Sequence, residues 1–136
     1  ASLTLADLAV MSNNSNTTRL VDACRQLSAL ATEEVPRPTY GGSFRYWLKG
    51  KMIFGINVAG GRRNPPHGQL DVWLPAPSLA NVTGIVEQEI RQILVNEFNA
   101  TESGKTDCIV RLATPEAAKA LTARVRSWII GPSSAS

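Results

Sequence analysis

The residues with the most chemistry to offer lie between positions 43 and 75. Arg45, Trp47, Lys49, Lys51 and Asn57 recur at alternate positions of two strand-like segments, and Trp73 joins them from a third. Arg62 and Arg63 stand in the loop between the second and third segments. Cationic side chains meet phosphate oxygens, indole rings stack on unpaired bases, and an amide hydrogen-bonds base edges. This set therefore suits contact with RNA. The same face would also suit self-association, because a symmetric dimer can cover its own indoles.

Other reactive residue types lead nowhere as a set. Ser103-Gly104-Lys105-Thr106 ends like a phosphate-binding loop, but that motif needs glycine where Asn99 stands and a helix where a strand follows. His67 is the only histidine and has no His or Cys partner at metal-ligand spacing. Cys24 sits on an apolar helical stripe and Cys108 in a strand-like run, so both read as buried free thiols. Two cysteines are too few for a disulfide scaffold. The acids Glu33, Glu34, Glu87, Glu89, Glu97, Glu102 and Glu116 fall on helix faces or in loops. No acid, base and nucleophile assemble. The expectation is a protein that is not an enzyme, with no cofactor, no metal and no small-molecule substrate.

The elements that must hold these residues follow from periodicity. The segments are 43–49, 51–58 and 69–74, and strict alternation splits each into two faces. Phe44, Tyr46, Leu48, Met52, Phe54, Ile56, Val58, Leu70, Val72 and Leu74 form the face to be buried. Ser43, Arg45, Trp47, Lys49, Lys51, Ile53, Gly55, Asn57, Gln69, Asp71 and Trp73 form the other. Lys49-Gly50-Lys51 reads as a tight hairpin turn. Ahead of the strands, Thr17 or Thr18 caps a helix to about Glu33, with a stripe of Leu20, Cys24, Leu27 and Ala31, stopped by Val35-Pro36. After them, Ser78 or Asn81 caps a helix to about Phe98. Residues 99–106 read as a loop and Asp107 to Leu112 as a strand. Thr114 and Pro115 open a last helix along Ala118, Leu121, Val125 and Trp128 that ends at Gly131. The reading is α+β, a mainly antiparallel sheet with helices on one face, in the order α-β-β-β-α-β-α.

The chain has 136 residues and a net charge of +3, the size of one domain and a mildly basic one. Residues 1–10 read as a strand or an arm and 11–16 as a loop, so that 1–16 form an N-terminal arm, and 131–136 read as a tail, both of the kind that an assembly holds in place. No apolar run approaches the roughly 18 residues of a membrane span. The first residues lack the basic and apolar regions of a secretory leader, so the Asn13, Asn16, Asn81 and Asn99 sequons are read as chance.

The run from Ser43 to Phe98 resembles the coat proteins of single-stranded RNA bacteriophages. Gln69-Leu70-Asp71-Val72-Trp73-Leu74-Pro75 leading into Ile85–Phe98 carries the likeness most clearly. The resemblance implies a homodimer whose helices lie across the partner's sheet, a shell built from such dimers, and a place in the virion. It implies that Arg45, Lys49, Lys51 and Asn57 face packaged RNA. The order of elements from residue 17 to 130, with Phe44-Arg45 and Gly50-Lys51-Met52 at the hairpin, is similar to the YjbR-like family of small bacterial α+β proteins. That second resemblance implies a cytoplasmic protein that contacts DNA.

Overall fold

The computed structural model describes residues 4–37, 42–58 and 65–131. Three helices come first: α1 (Leu5–Met11), α2 (Ser15–Ala23) and α3 (Arg25–Ser28). Four strands follow: β1 (Glu33–Arg37), β2 (Ser43–Leu48), β3 (Lys51–Val58) and β4 (Leu70–Pro75). Then come α4 (Ala76–Thr83), α5 (Glu87–Phe98), β5 (Thr101–Ser103), β6 (Asp107–Leu112) and α6 (Pro115–Ile130). The strands form one antiparallel sheet in the order β1-β2-β3-β4-β6-β5. The helices pack on its inner face around a single apolar core. The class is α+β, as expected, with more elements than the sequence reading allowed.

Several of those elements correct the reading. The chain from Thr4 is not a strand: Thr4 caps α1 through a reciprocal box, accepting from Asp7 N–H at 3.1 Å and donating its own N–H to the Asp7 carboxylate at 3.0 Å. Leu5 and Ala9, one turn apart, bury that helix's inner side. Asn14, rather than Thr17 or Thr18, caps α2, accepting from Thr17 N–H at 3.0 Å. The helix breaks at Cys24 and stops at Ser28, because residues 33–37 are extended. Pro36 and Pro38 explain this: each disfavours helix in the residue before it, and an edge strand tolerates the lost donor. Thr32 N–H starts the new strand by donating to Trp47 O at 2.8 Å.

The helix expected over 78–98 is two helices, the first beginning earlier, at Ala76, and the second at Glu87. Gly84, at φ 78, ends α4 in the left-handed conformation that glycine adopts without a side-chain clash. The expected loop at 99–106 contains β5, hairpin partner of β6. Arg91, buried on α5, ties that hairpin down by donating to the Lys105 carbonyl and pairing with Glu87 at 3.0 Å. The last helix is as expected, with Ala117 N–H donating to Thr114 Oγ1 at 3.2 Å and Ala118, Leu121, Val125 and Trp128 buried.

Register decides which side chains reach each sheet face. Lys49 and Gly50, at φ 53 and 75, make the two-residue hairpin turn between Leu48 and Lys51. Tyr46 pairs with Phe54, yet Trp47 pairs with Met52, so Ile53 is an extra residue in β3. Such a bulge lets two successive side chains take one side. Ile53 and Phe54 are both fully buried, and Met52 lies among the outer residues. Strict alternation had placed Met52 and Ile53 the other way round. The remaining inner residues of β2, β3 and β4 fall as expected, with the Tyr46 and Phe54 rings stacked at 4.8 Å.

Candidate nucleic-acid interface

The described helices take the inner face, so the outer face is a six-stranded surface read directly from the ladders. One row across it runs Val35, Arg45, Gly55, Trp73, Ile109, Thr101. The next runs Arg37, Ser43, Asn57, Asp71, Arg111. Gly55 has no side chain to put into its row. The result is a hollow of about 340 Å³ over Gly55, walled by Arg45, Ser43, Asn57, Met52, Trp73 and Asp107.

Hydrogen bonds fix part of this surface. The Ser43 hydroxyl donates to Asn57 Oδ1 at 2.7 Å, which leaves the Asn57 amide nitrogen as a donor. Arg111 grips Asp71 through both its carboxylate oxygens, at 2.8 and 3.0 Å. Asp71 is buried and Arg111 is about half exposed. That hydrogen-bonded carboxylate raises the Arg111 pKa above its ordinary value and cancels its charge locally. Arg45 takes part in none of the ion pairs among the described residues.

Of the residues expected at the interface, Arg45, Trp47 and Asn57 do share the outer face, half-buried, and Trp73 stands with them. Trp47 stands beside Met52 in the cross-strand pair, while Arg45 and Asn57 reach the hollow itself. The two lysines do not join them. Lys49 occupies the exposed hairpin turn. Lys51 pairs with Leu48, which packs against the core, so the bulge has moved it to the opposite side from Trp47. Arg62 and Arg63 lie outside the described residues. Among the residues at the hollow or hydrogen-bonded beside it, Met52, Asp107 and Arg111 were missed. The alternation of Asp107, Ile109 and Arg111 with Cys108, Val110 and Leu112 held the signal for two of them.

The other candidates are elsewhere. Both cysteines are free and buried, and burial pushes the Cys24 thiol up to about 12 and the Cys108 thiol upward as well. His67 is exposed in the loop before β4. Among the described residues, no group of three or more His, Cys, Asp or Glu side chains gathers as a metal site, and no helix is long and apolar enough to cross a membrane. No family model, no curated protein and no solved structure matches the chain.

Proposed function

We propose that the protein acts by binding rather than catalysis, and that its open sheet face receives single-stranded RNA within a self-assembling, coat-like particle. The observation that carries this reading is the hollow over Gly55. It sets the Arg45 guanidinium, which joins no ion pair among the described residues, an amide donor and an indole on a face that the described helices leave uncovered. These are the groups that hold a phosphate, a base edge and a base plane.

The electrostatics set the character of the binding. Among the described residues, Lys51 is on the other side and Arg111 is held by Asp71, so few of their cations remain to meet phosphates on this face. Stacking therefore carries more of the affinity than charge does. For one or two phosphate contacts, the logarithm of affinity falls with the logarithm of salt at a slope of about −1, well short of a polybasic binder. The test is a fluorescence-anisotropy titration of a labelled single-stranded RNA, together with light scattering of the purified protein. Arg45→Ala combined with Trp73→Ala is expected to weaken binding at least about tenfold, since stacking on one ring alone accounts for roughly 1–3 kcal/mol per base. The protein alone is expected to form large particles that carry RNA. A monomer with no affinity for RNA would overturn the reading.

A second reading has one observation in its favour. The described helices cover the inner face of the chain's own sheet. This arrangement suits a YjbR-like protein that contacts DNA. A monomer or dimer that prefers DNA to RNA at equal salt selects it.

A further inference from the structure

We propose that the hollow over Gly55 seats a single guanine base and that the Asp107 carboxylate makes the selection. The inference rests on the reading of the sheet face as an RNA interface, and it adds a residue that reading does not use.

The seat exists because glycine occupies the middle of β3. A Cβ at Gly55 would stand 3.2 Å from Phe44 O and 3.9 Å from Trp73 Cβ, so any larger side chain would grow into the space between Arg45 and Trp73. Glycine weakens a strand interior, and its presence there commonly accompanies close approach of a ligand. The volume, about 340 Å³, is at the lower end of small-ligand sites and takes one nucleotide. Trp73 offers an aromatic wall for a flat base and Met52 a flexible apolar one.

The two ends of the hollow differ in charge. Arg45 is on β2 and Asp107 on β6, three strand spacings apart. At about 4.8 Å per spacing, with Asp107 two residues along β6 from Ile109 in Arg45's row, that is roughly 16 Å between backbones, room for a base, its sugar and a phosphate between the side chains. Asp107 Oδ1 accepts from the Thr106 hydroxyl at 3.2 Å. A carboxylate has about four lone-pair sites, so both oxygens still accept from a ligand. Guanine is the base whose pairing edge presents two adjacent donors, N1–H and the N2 amino group, and a carboxylate matches them two for two. Adenine, cytosine and uracil each set an acceptor beside their donor, which a carboxylate repels. With guanine so placed, the guanidinium of Arg45 faces the phosphate end.

The experiment titrates the intrinsic tryptophan fluorescence with GMP, AMP, CMP and UMP, in the wild type and in Asp107→Asn. GMP is expected to bind about tenfold or more tighter than the other three, the scale of discrimination from one bidentate contact. Asp107→Asn, at a partly exposed strand end, is expected to fold normally and to erase that preference. Gly55→Ala, checked for folding by circular dichroism, is expected to lose binding of all four. Equal affinity for the four nucleotides, or a guanine preference that survives in Asp107→Asn, overturns the proposal. If labelled RNA still binds in that case, the pocket is refuted and the interface stands. Asp107-dependent GMP binding without RNA binding would keep the pocket and refute the interface.

Discussion

Replacing Ile53 by alanine tests the bulge in β3 against the alternation that hides it. Ile53 is fully buried, whereas Met52 is half-exposed on the outer face. Ile→Ala removes three carbon atoms, about 2.4 kcal/mol at roughly 0.8 kcal/mol per buried methylene. The cavity left in a packed core raises the cost to about 3–4 kcal/mol. Met52→Ala loses only partial burial at a flexible side chain and should cost about 1 kcal/mol or less. Urea unfolding at pH 7, followed by far-UV circular dichroism, measures both. For a domain of this size the Ile53 variant should also melt about 10–15 °C lower, at 3–4 °C per kcal/mol. A Met52 variant less stable than the Ile53 variant would refute the bulge and restore strict alternation, with Met52 inside.

Two further outcomes probe the rest of the fold. Cys24 titrates near 9.0 when unfolded and near 12 when folded, so the folded chain holds its proton longer and stability falls as pH rises through that window. The loss approaches 1.4 kcal/mol per pH unit from this group, about 2 kcal/mol by pH 10.5. Cys24→Ala should show a flatter alkaline limb in urea midpoints from pH 8 to 10.5, and an identical slope in both proteins would refute the assignment. Arg91→Met removes the guanidinium that donates to Lys105 O and pairs with Glu87. It should cost about 1–3 kcal/mol and raise amide exchange in 101–107 well above that in β2 and β3; uniform exchange would show that the hairpin does not depend on Arg91.

Much of the fold was legible where one local rule acts alone. Thr114-Pro115 announces α6, and Lys49-Gly50 the turn between β2 and β3. Alternation sorts β4 correctly at every position from Leu70 to Leu74. It fails at Met52 and Ile53 because a bulge changes the period by one residue without any residue type that declares it. That slip carries Lys51 away from the candidate site, so the described part of the site holds fewer cations than alternation suggested. Val35-Pro36 was ambiguous in kind, since proline that ends a helix also fits an edge strand. Thr4 and Asp7 offered a capping signal that the apolar character of Leu3 to Val10 obscured. Asp107 reaches the hollow through the pairing of β4 with β6, a contact between residues some thirty positions apart that spacing along the chain does not reveal.

The two outermost strands constrain how copies of this chain can meet. β5 is three residues long, and β1 carries Pro36 between charged Glu33, Glu34 and Arg37. A three-residue rim gives an incoming strand little to zip onto, and proline interrupts the ladder on the opposite rim. Association by extending the sheet is therefore disfavoured at both ends. Any contact between copies of this chain would have to use its faces rather than its strand rims.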